Sequence, residues 1–169
     1  YLWSGEQVRR LVPGFEDLLA DVYWLRTVQY FGGQRVYAAN KRFDLLLPLV
    51  DITVTLDPRL QIAYRYGATF LAETYPIGAG QPQAAVKLLE RGVRNLPHDW
   101  RLRQDLGLFH YYFLDDPQRA SQILLEAAAF LFGLLRRGHS HHVRQHLCHS
   151  VRPAVHAFAQ LQHDAAAAR

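Results

Sequence analysis

The stretch Leu56–Glu73, LDPRLQIAYRYGATFLAE, decides how the chain is read. Leu56-Asp57-Pro58 closes one apolar-periodic segment and opens the next. From Arg59 to Glu73, the residues Leu60, Ala63, Tyr64, Gly67, Phe70 and Leu71 mostly recur at the spacing of one helix face. The same arrangement returns further on. Tyr64-Arg65-Tyr66-Gly67 has its counterpart in Gln104-Asp105-Leu106-Gly107, and Pro58 has its counterpart in Pro97. Pro58 to Pro97 spans 39 residues and Gly67 to Gly107 spans 40, a period that marks repeated helix–turn–helix units.

Working outward, the segment Phe15–Phe31 carries Leu18, Leu19, Val22, Leu25, Val28 and Phe31 at helical spacing, and Gly32-Gly33 is expected to stop it. Residues 1–14 read as a lead-in broken by Pro13 and Gly14. A second segment runs from Val36 to Thr55, with Pro48 kinking it or marking its true first turn. The β-branched run Ile52–Thr55 favours a strand, but a lone strand between helices has no partner, so it is read as helix. Tyr75–Gly80 is a loop. Gln81–Asn95 is a fourth helix with Pro82 in its first turn, and Trp100–Leu114 is a fifth. A sixth begins at Pro117, capped by Asp115 or Asp116, continues toward Leu135 and ends by Gly138. The fold class is therefore all-α, built from three helix–turn–helix units.

These residues resemble tetratricopeptide repeats. That motif places a small residue inside the first helix, alanine in the second and proline after it. Gly67 and Gly107, Ala85 and Ala120, and Pro58 and Pro97 match in turn. The usual period is ~34 residues, and the Tyr75–Gly80 loop accounts for the excess. Phe15–Pro58 is a weaker copy, in which Trp24 fits but no mid-helix glycine does. The segment Phe15–Gly33 is similar to the opening of a group of bacterial tetratricopeptide proteins in which an N-terminal membrane anchor often precedes it. The resemblance covers residues 1–130 and implies a right-handed α-solenoid of about three repeats, with 131–169 as a tail or capping helix. It also implies a non-enzymatic scaffold that binds a protein or peptide partner, membrane-associated in the bacterial cell envelope or otherwise cytoplasmic.

In such a solenoid the first helix of each pair lines the concave face. By the pattern, the partner-binding side chains are Arg26, Gln29, Gln61, Tyr64, Arg101, Gln104, Leu108 and Tyr111. Aromatic, amide and guanidinium groups of this kind suit peptide recognition. The alternative for Tyr64 and Tyr111 is that they are core or ordinary exposed groups. A carboxylate clamp of the chaperone-binding type is disfavoured, because Asn40, Lys41, Lys87 and Asn95 do not stand at first-helix positions.

The chain has 169 residues, half of them hydrophobic, enough for a real core. No apolar run approaches the ~20 residues of a membrane-spanning helix. The chain starts at Tyr1 and holds no methionine, so a natural start, and with it an anchoring segment, is expected upstream. The net charge of +4 is local: residues 127–169 hold five arginines against Asp164, while residues 1–126 balance 14 basic against 14 acidic groups. Seven of the nine histidines also lie in that tail.

His142, His146, Cys148 and His149 offer imidazole and thiol ligands for zinc or copper, but no Asp or Glu lies between Glu126 and Asp164 to support them. Metal or anion binding through this tail is the alternative function. Nucleic-acid binding is disfavoured because Phe158 is the tail's lone aromatic after Phe132. The stripe Val143, Leu147, Val151, Val155 and Phe158, interrupted by Pro153, could cap the end of the solenoid. A homo-oligomer through the apolar Phe130–Leu135 face is a further expectation. No phosphate loop, His-Glu-x-x-His pair or nucleophile elbow is present, so neither a catalytic group nor a cofactor is assigned.

Overall fold

The structure is a computed structural model. It describes residues 3–136, with side chains through residue 133. Among the described residues there are seven helices and no strand, so the described part of the chain is all-α. They fall into two compact units that divide between Pro97 and His98.

The first unit contains α1 (Gly5–Leu11), α2 (Glu16–Val36), α3 (Leu46–Leu56), α4 (Gln61–Ala72) and α5 (Pro82–Asn95). Helix α2 pairs with α3, and α4 with α5, while α3 also packs against α1 and α4. Helix α3 is consequently enclosed on nearly all sides, with Leu46, Leu49, Val50, Ile52, Thr53, Val54, Thr55 and Leu56 buried. A helix apolar all round belongs at the centre of a unit. Its threonines fit there because their hydroxyls are satisfied within the helix. Thr53 Oγ1 donates to Leu49 O at 2.9 Å and Thr55 Oγ1 to Asp51 O at 2.7 Å. The β-branched run is thus helical, its strand propensity overridden by burial. Pro48 is the third residue of α3, within the first turn, where a backbone N–H would have no partner.

Helix α1 lies in the stretch read as a lead-in. Ser4 Oγ accepts from Gln7 N at 3.3 Å and Gln7 Oε1 accepts from Ser4 N at 3.0 Å, a reciprocal cap that starts the helix. Val8 anchors it against Ala20, Ile52 and Leu56. Helix α2 corrects the expected stop at Gly32-Gly33. It runs on to Val36 and ends where Tyr37 N donates to Gly33 O. Neither glycine has left-handed φ, so neither terminates the helix. The face of α2 expected in the core is also corrected. Leu18, Val22, Leu25 and Val28 are exposed, whereas Phe31 of the same series is buried as expected and Leu19 half-buried, and Ala20 and Thr27 are buried beside them. Phe31 stacks on Phe70 of α4 with ring centres 4.1 Å apart.

Two of the connections within this unit, α2–α3 and α4–α5, are ordered differently. Between α2 and α3, side chains hold the chain: the Tyr30 hydroxyl donates to Arg42 O, Gln34 Oε1 accepts from Arg42 N at 2.9 Å, and Lys41 Nζ donates to Arg35 O at 3.0 Å. Between α4 and α5 the backbone holds itself. Ala79 N donates to Phe70 O at 3.1 Å, Gly80 N to Glu73 O at 2.8 Å and Gln81 N to Leu71 O at 2.7 Å. Gly78 is required in that turn, since a Cβ there would stand 2.5 Å from Glu73 Cβ and 2.7 Å from Glu73 O.

In the second unit α6 (Trp100–Tyr112) pairs with α7 (Pro117–Arg136). Asp99 caps α6, its Oδ1 accepting from Arg101 N at 2.9 Å. Asp116, rather than Asp115, caps α7, accepting from Arg119 N at 3.0 Å. Asp115 makes the turn itself, with φ of 51°.

The mid-helix glycines are sites of close approach. A Cβ on Gly67 would lie 2.9 Å from Val50 Cγ1 and 3.3 Å from Leu88 Cδ2, and one on Gly107 would lie 2.8 Å from Leu124 Cγ. Ala85 and Ala120 are fully buried on the second helices. Thr27, also fully buried, stands 40 residues before Gly67 in the weaker first copy. Val50, fully buried, stands 35 residues before Ala85, which in turn stands 35 before Ala120.

Candidate partner-binding faces

Helix α2 places Arg26 and Gln29 in solvent. They flank the outward apolar row Leu18, Val22 and Leu25, exposed at 62%, 41% and 60%. Opposite this row, Trp24 and Phe31 reach Phe70. The helix is apolar on two faces, and the face with Thr27 and Phe31 is the one the unit covers.

On α4, Gln61 is half-buried, and its Nε2 is enclosed without an internal acceptor. Tyr64 corrects its expected placement: it is fully buried, with its ring against the backbone of Gly92, where a Cβ would come within 2.9 Å of Tyr64 Cγ. Its hydroxyl donates to Pro58 O at 3.2 Å and accepts from Asn95 Nδ2 at 2.7 Å. Burial pushes its ionisation above the ordinary tyrosine range, with the Asn95 hydrogen bond and the Arg91 charge opposing. Tyr64 is therefore a lock between α4 and α5 and has no free surface to offer a partner. Exposed side chains on α4 are Ile62 and Tyr66. Arg91 makes a second lock: Nη1 lies 2.7 Å from Asp51 Oδ1 and Nη2 donates to Thr55 Oγ1 at 2.9 Å, joining α5 to α3.

In the second unit, Arg101 is exposed, and its guanidinium lies 5.2 Å from the centre of the Trp100 ring. Leu108 and Tyr111 are half-buried, and Tyr111 meets the exposed Tyr112 edge-on at 4.9 Å. Gln104 is buried and corrects its expected groove position. Of the eight side chains expected to meet a partner, Tyr64 and Gln104 are withdrawn into the cores. Arg26, Gln29 and Arg101 are presented outward, and Gln61, Leu108 and Tyr111 are partly so. The apolar row on α2 was missed as a surface, though its spacing of four and three residues was present to be read.

A shallow hollow of about 360 Å³ on α1 is lined by Trp3, Gln7, Arg10 and Leu11 and is open to solvent. Among the described residues no cluster of three or more His, Cys, Asp or Glu could hold a metal. The tail ligands His142, His146, Cys148 and His149 lie outside the described residues, as does the expected capping stripe Val143–Phe158. No described helix is long and apolar enough to cross a membrane. No family model, curated protein or solved structure matches this chain.

Proposed function

We propose that the protein is a tetratricopeptide-type α-solenoid scaffold, without catalytic activity, that binds a protein or peptide partner through the first helix of its repeats. One observation carries the reading: the first helix of each hairpin keeps large apolar, aromatic or cationic side chains in solvent. On α2 these are Leu18, Leu25 and Arg26, on α4 Ile62 and Tyr66, and on α6 Arg101 and Tyr112. Aromatic and arginine side chains are the commonest anchors of protein interfaces. The recurrence of buried small residues at Thr27, Gly67 and Gly107 supports the repeat assignment.

Gln61, Arg101 and Tyr111 are the residues to test. A cross-linked pull-down from the source cells with the full chain should recover a protein partner, and Gln61→Ala and Arg101→Ala should each reduce that recovery. Undiminished recovery with both variants would exclude these faces. By this reading the scaffold belongs to a larger, envelope-associated assembly. Separating membrane from soluble fractions and probing for the chain tests that placement.

A further inference from the structure

We infer that α2 is also a parallel, two-fold dimerisation helix, and that the occupant of its outward apolar row is the same helix of a second copy. The row has a seven-residue repeat. Phe15, at the N-cap, and then Val22, Gln29 and Val36 recur every seventh residue, and Leu18, Leu25 and Gly32 form the companion series. With the first series at a and the second at d, Val22 and Val36 at a and Leu18 and Leu25 at d follow the combination of β-branched a and leucine d residues that favours a two-stranded parallel coiled coil. A single polar a residue, here Gln29, sets the register in such seams. Ala20 and Thr27 fall at f, on the opposite side, and are buried within the unit. The helix thus has two faces: one holds the fold, and the other repeats the dimer pattern.

Charge complementarity selects the parallel orientation. Asp21 falls at g and Arg26 at the following e, the positions that pair between the two chains of a parallel seam. Both are exposed. Two-fold symmetry makes the contact twice. In an antiparallel seam g faces g and e faces e, so Asp21 and Arg26 would not meet. Gly32 leaves room for close approach, with no atom within 4 Å of a Cβ placed there. The surface is large enough. Phe15, Leu18, Val22, Leu25 and Val36 are between 41% and 67% exposed. Together with Val28 they leave on the order of 500 Å² per copy, so a pair buries ~1,000 Å², the threshold for a specific interface. Three heptads are short enough that the drift of a straight helix from a 3.5-residue period, ~20° per heptad, does not carry the seam out of contact.

This inference does not rest on the proposed partner binding. It takes Leu18, Leu25, Arg26 and Gln29 of α2 for the dimer and leaves Gln61, Arg101 and Tyr111 for a partner, so the tests of the two can fail separately. Sedimentation equilibrium of the full chain tests it, with circular dichroism as the check on folding. The chain should be dimeric at ~10 µM, and Leu18→Glu/Leu25→Glu should raise the dimer Kd at least ~100-fold with unchanged helicity. Asp21→Arg alone should weaken the dimer several-fold, and Asp21→Arg/Arg26→Asp should restore it. In a Cys148→Ser background, Gln29→Cys should form an intermolecular disulfide on oxidation, since a parallel seam sets residue 29 beside itself. A monomer at ~100 µM, or a dimer indifferent to the two glutamates, would overturn the inference. Failure of the charge swap, or of the residue-29 cross-link, would overturn the parallel register.

Discussion

Replacing Gly67 by alanine tests the closest helix approach in the first unit. In an open helix the change is favourable by about 1 kcal/mol, because glycine has more backbone freedom to lose. Here the new Cβ would stand 2.9 Å from Val50 Cγ1, 3.2 Å from Val50 Cγ2 and 3.3 Å from Leu88 Cδ2. Val50 is fully buried and β-branched, so it has no alternative rotamer into which to retreat. Overpacking of this kind costs about 1–3 kcal/mol. The net expectation is a loss of about 1 kcal/mol.

Gly33→Ala is the matched control. It is also helical, but its Cβ would meet nothing within 4 Å, so it should gain about 0.5–1 kcal/mol. Urea unfolding followed by circular dichroism separates the two. With a slope of about 2 kcal/mol per molar, the midpoints should move in opposite directions and end up to about 1 M apart. In a Val50→Ala background the clash is removed, and Gly67→Ala should become neutral or stabilising. If Gly67→Ala raises the midpoint of the otherwise unaltered chain as Gly33→Ala does, α4 does not approach α3 as described.

Tyr64→Phe removes the bonds to Pro58 and Asn95 and should cost about 1 kcal/mol at neutral pH, measured by the urea midpoint. Because burial raises the folded-state ionisation of Tyr64, its contribution is fully present below about pH 10, the unfolded value. It is lost as pH rises through the higher folded value, so Tyr64→Phe should flatten the alkaline decline seen in midpoints taken from pH 8 to 11. Arg91→Lys should lose most of the α3–α5 tie, about 1 kcal/mol after allowance for solvent at the half-exposed Asp51, because one ammonium cannot reproduce the fork to Asp51 and Thr55. Double-mutant cycles with Asp51→Ala would measure it. Asp115→Gly should stabilise the second unit by about 0.5–1 kcal/mol, since Asp115 has a φ of 51°, and a thermal melt reads the gain.

Helix existence was legible where turn chemistry and periodicity agreed. Pro82 and Pro117 begin α5 and α7, and Asp99 caps α6, as their residue types demand. Boundaries were less so. Gly32 and Gly33 read as a stop, yet a glycine ends a helix only when it turns to positive φ, which residue type alone does not reveal. Ser4 and Gln7 carried the signature of a helix start that a search for long apolar periods passes over. The candidate site was obscured on α2 because both its faces have the spacing of a buried stripe. Leu18, Val22 and Leu25 have the spacing of a core stripe, and Ala20, Thr27 and Phe31 have it too. Only the packing of α1, α3 and α4 decides between them. Tyr64 was misplaced for a related reason: a tyrosine with a partner for its hydroxyl is as much at home in a core as on a surface.

Two connections of the first unit, α4–α5 and α2–α3, respond differently to inherited change. The turn between α4 and α5 is closed by main-chain groups, so most substitutions there leave its closure intact, and Gly78 is the vulnerable position. The passage between α2 and α3 depends on the identities of Tyr30, Gln34 and Lys41, so single codon changes can release it. Drift in related chains should therefore reshape the first passage freely while the second keeps its length and its glycine.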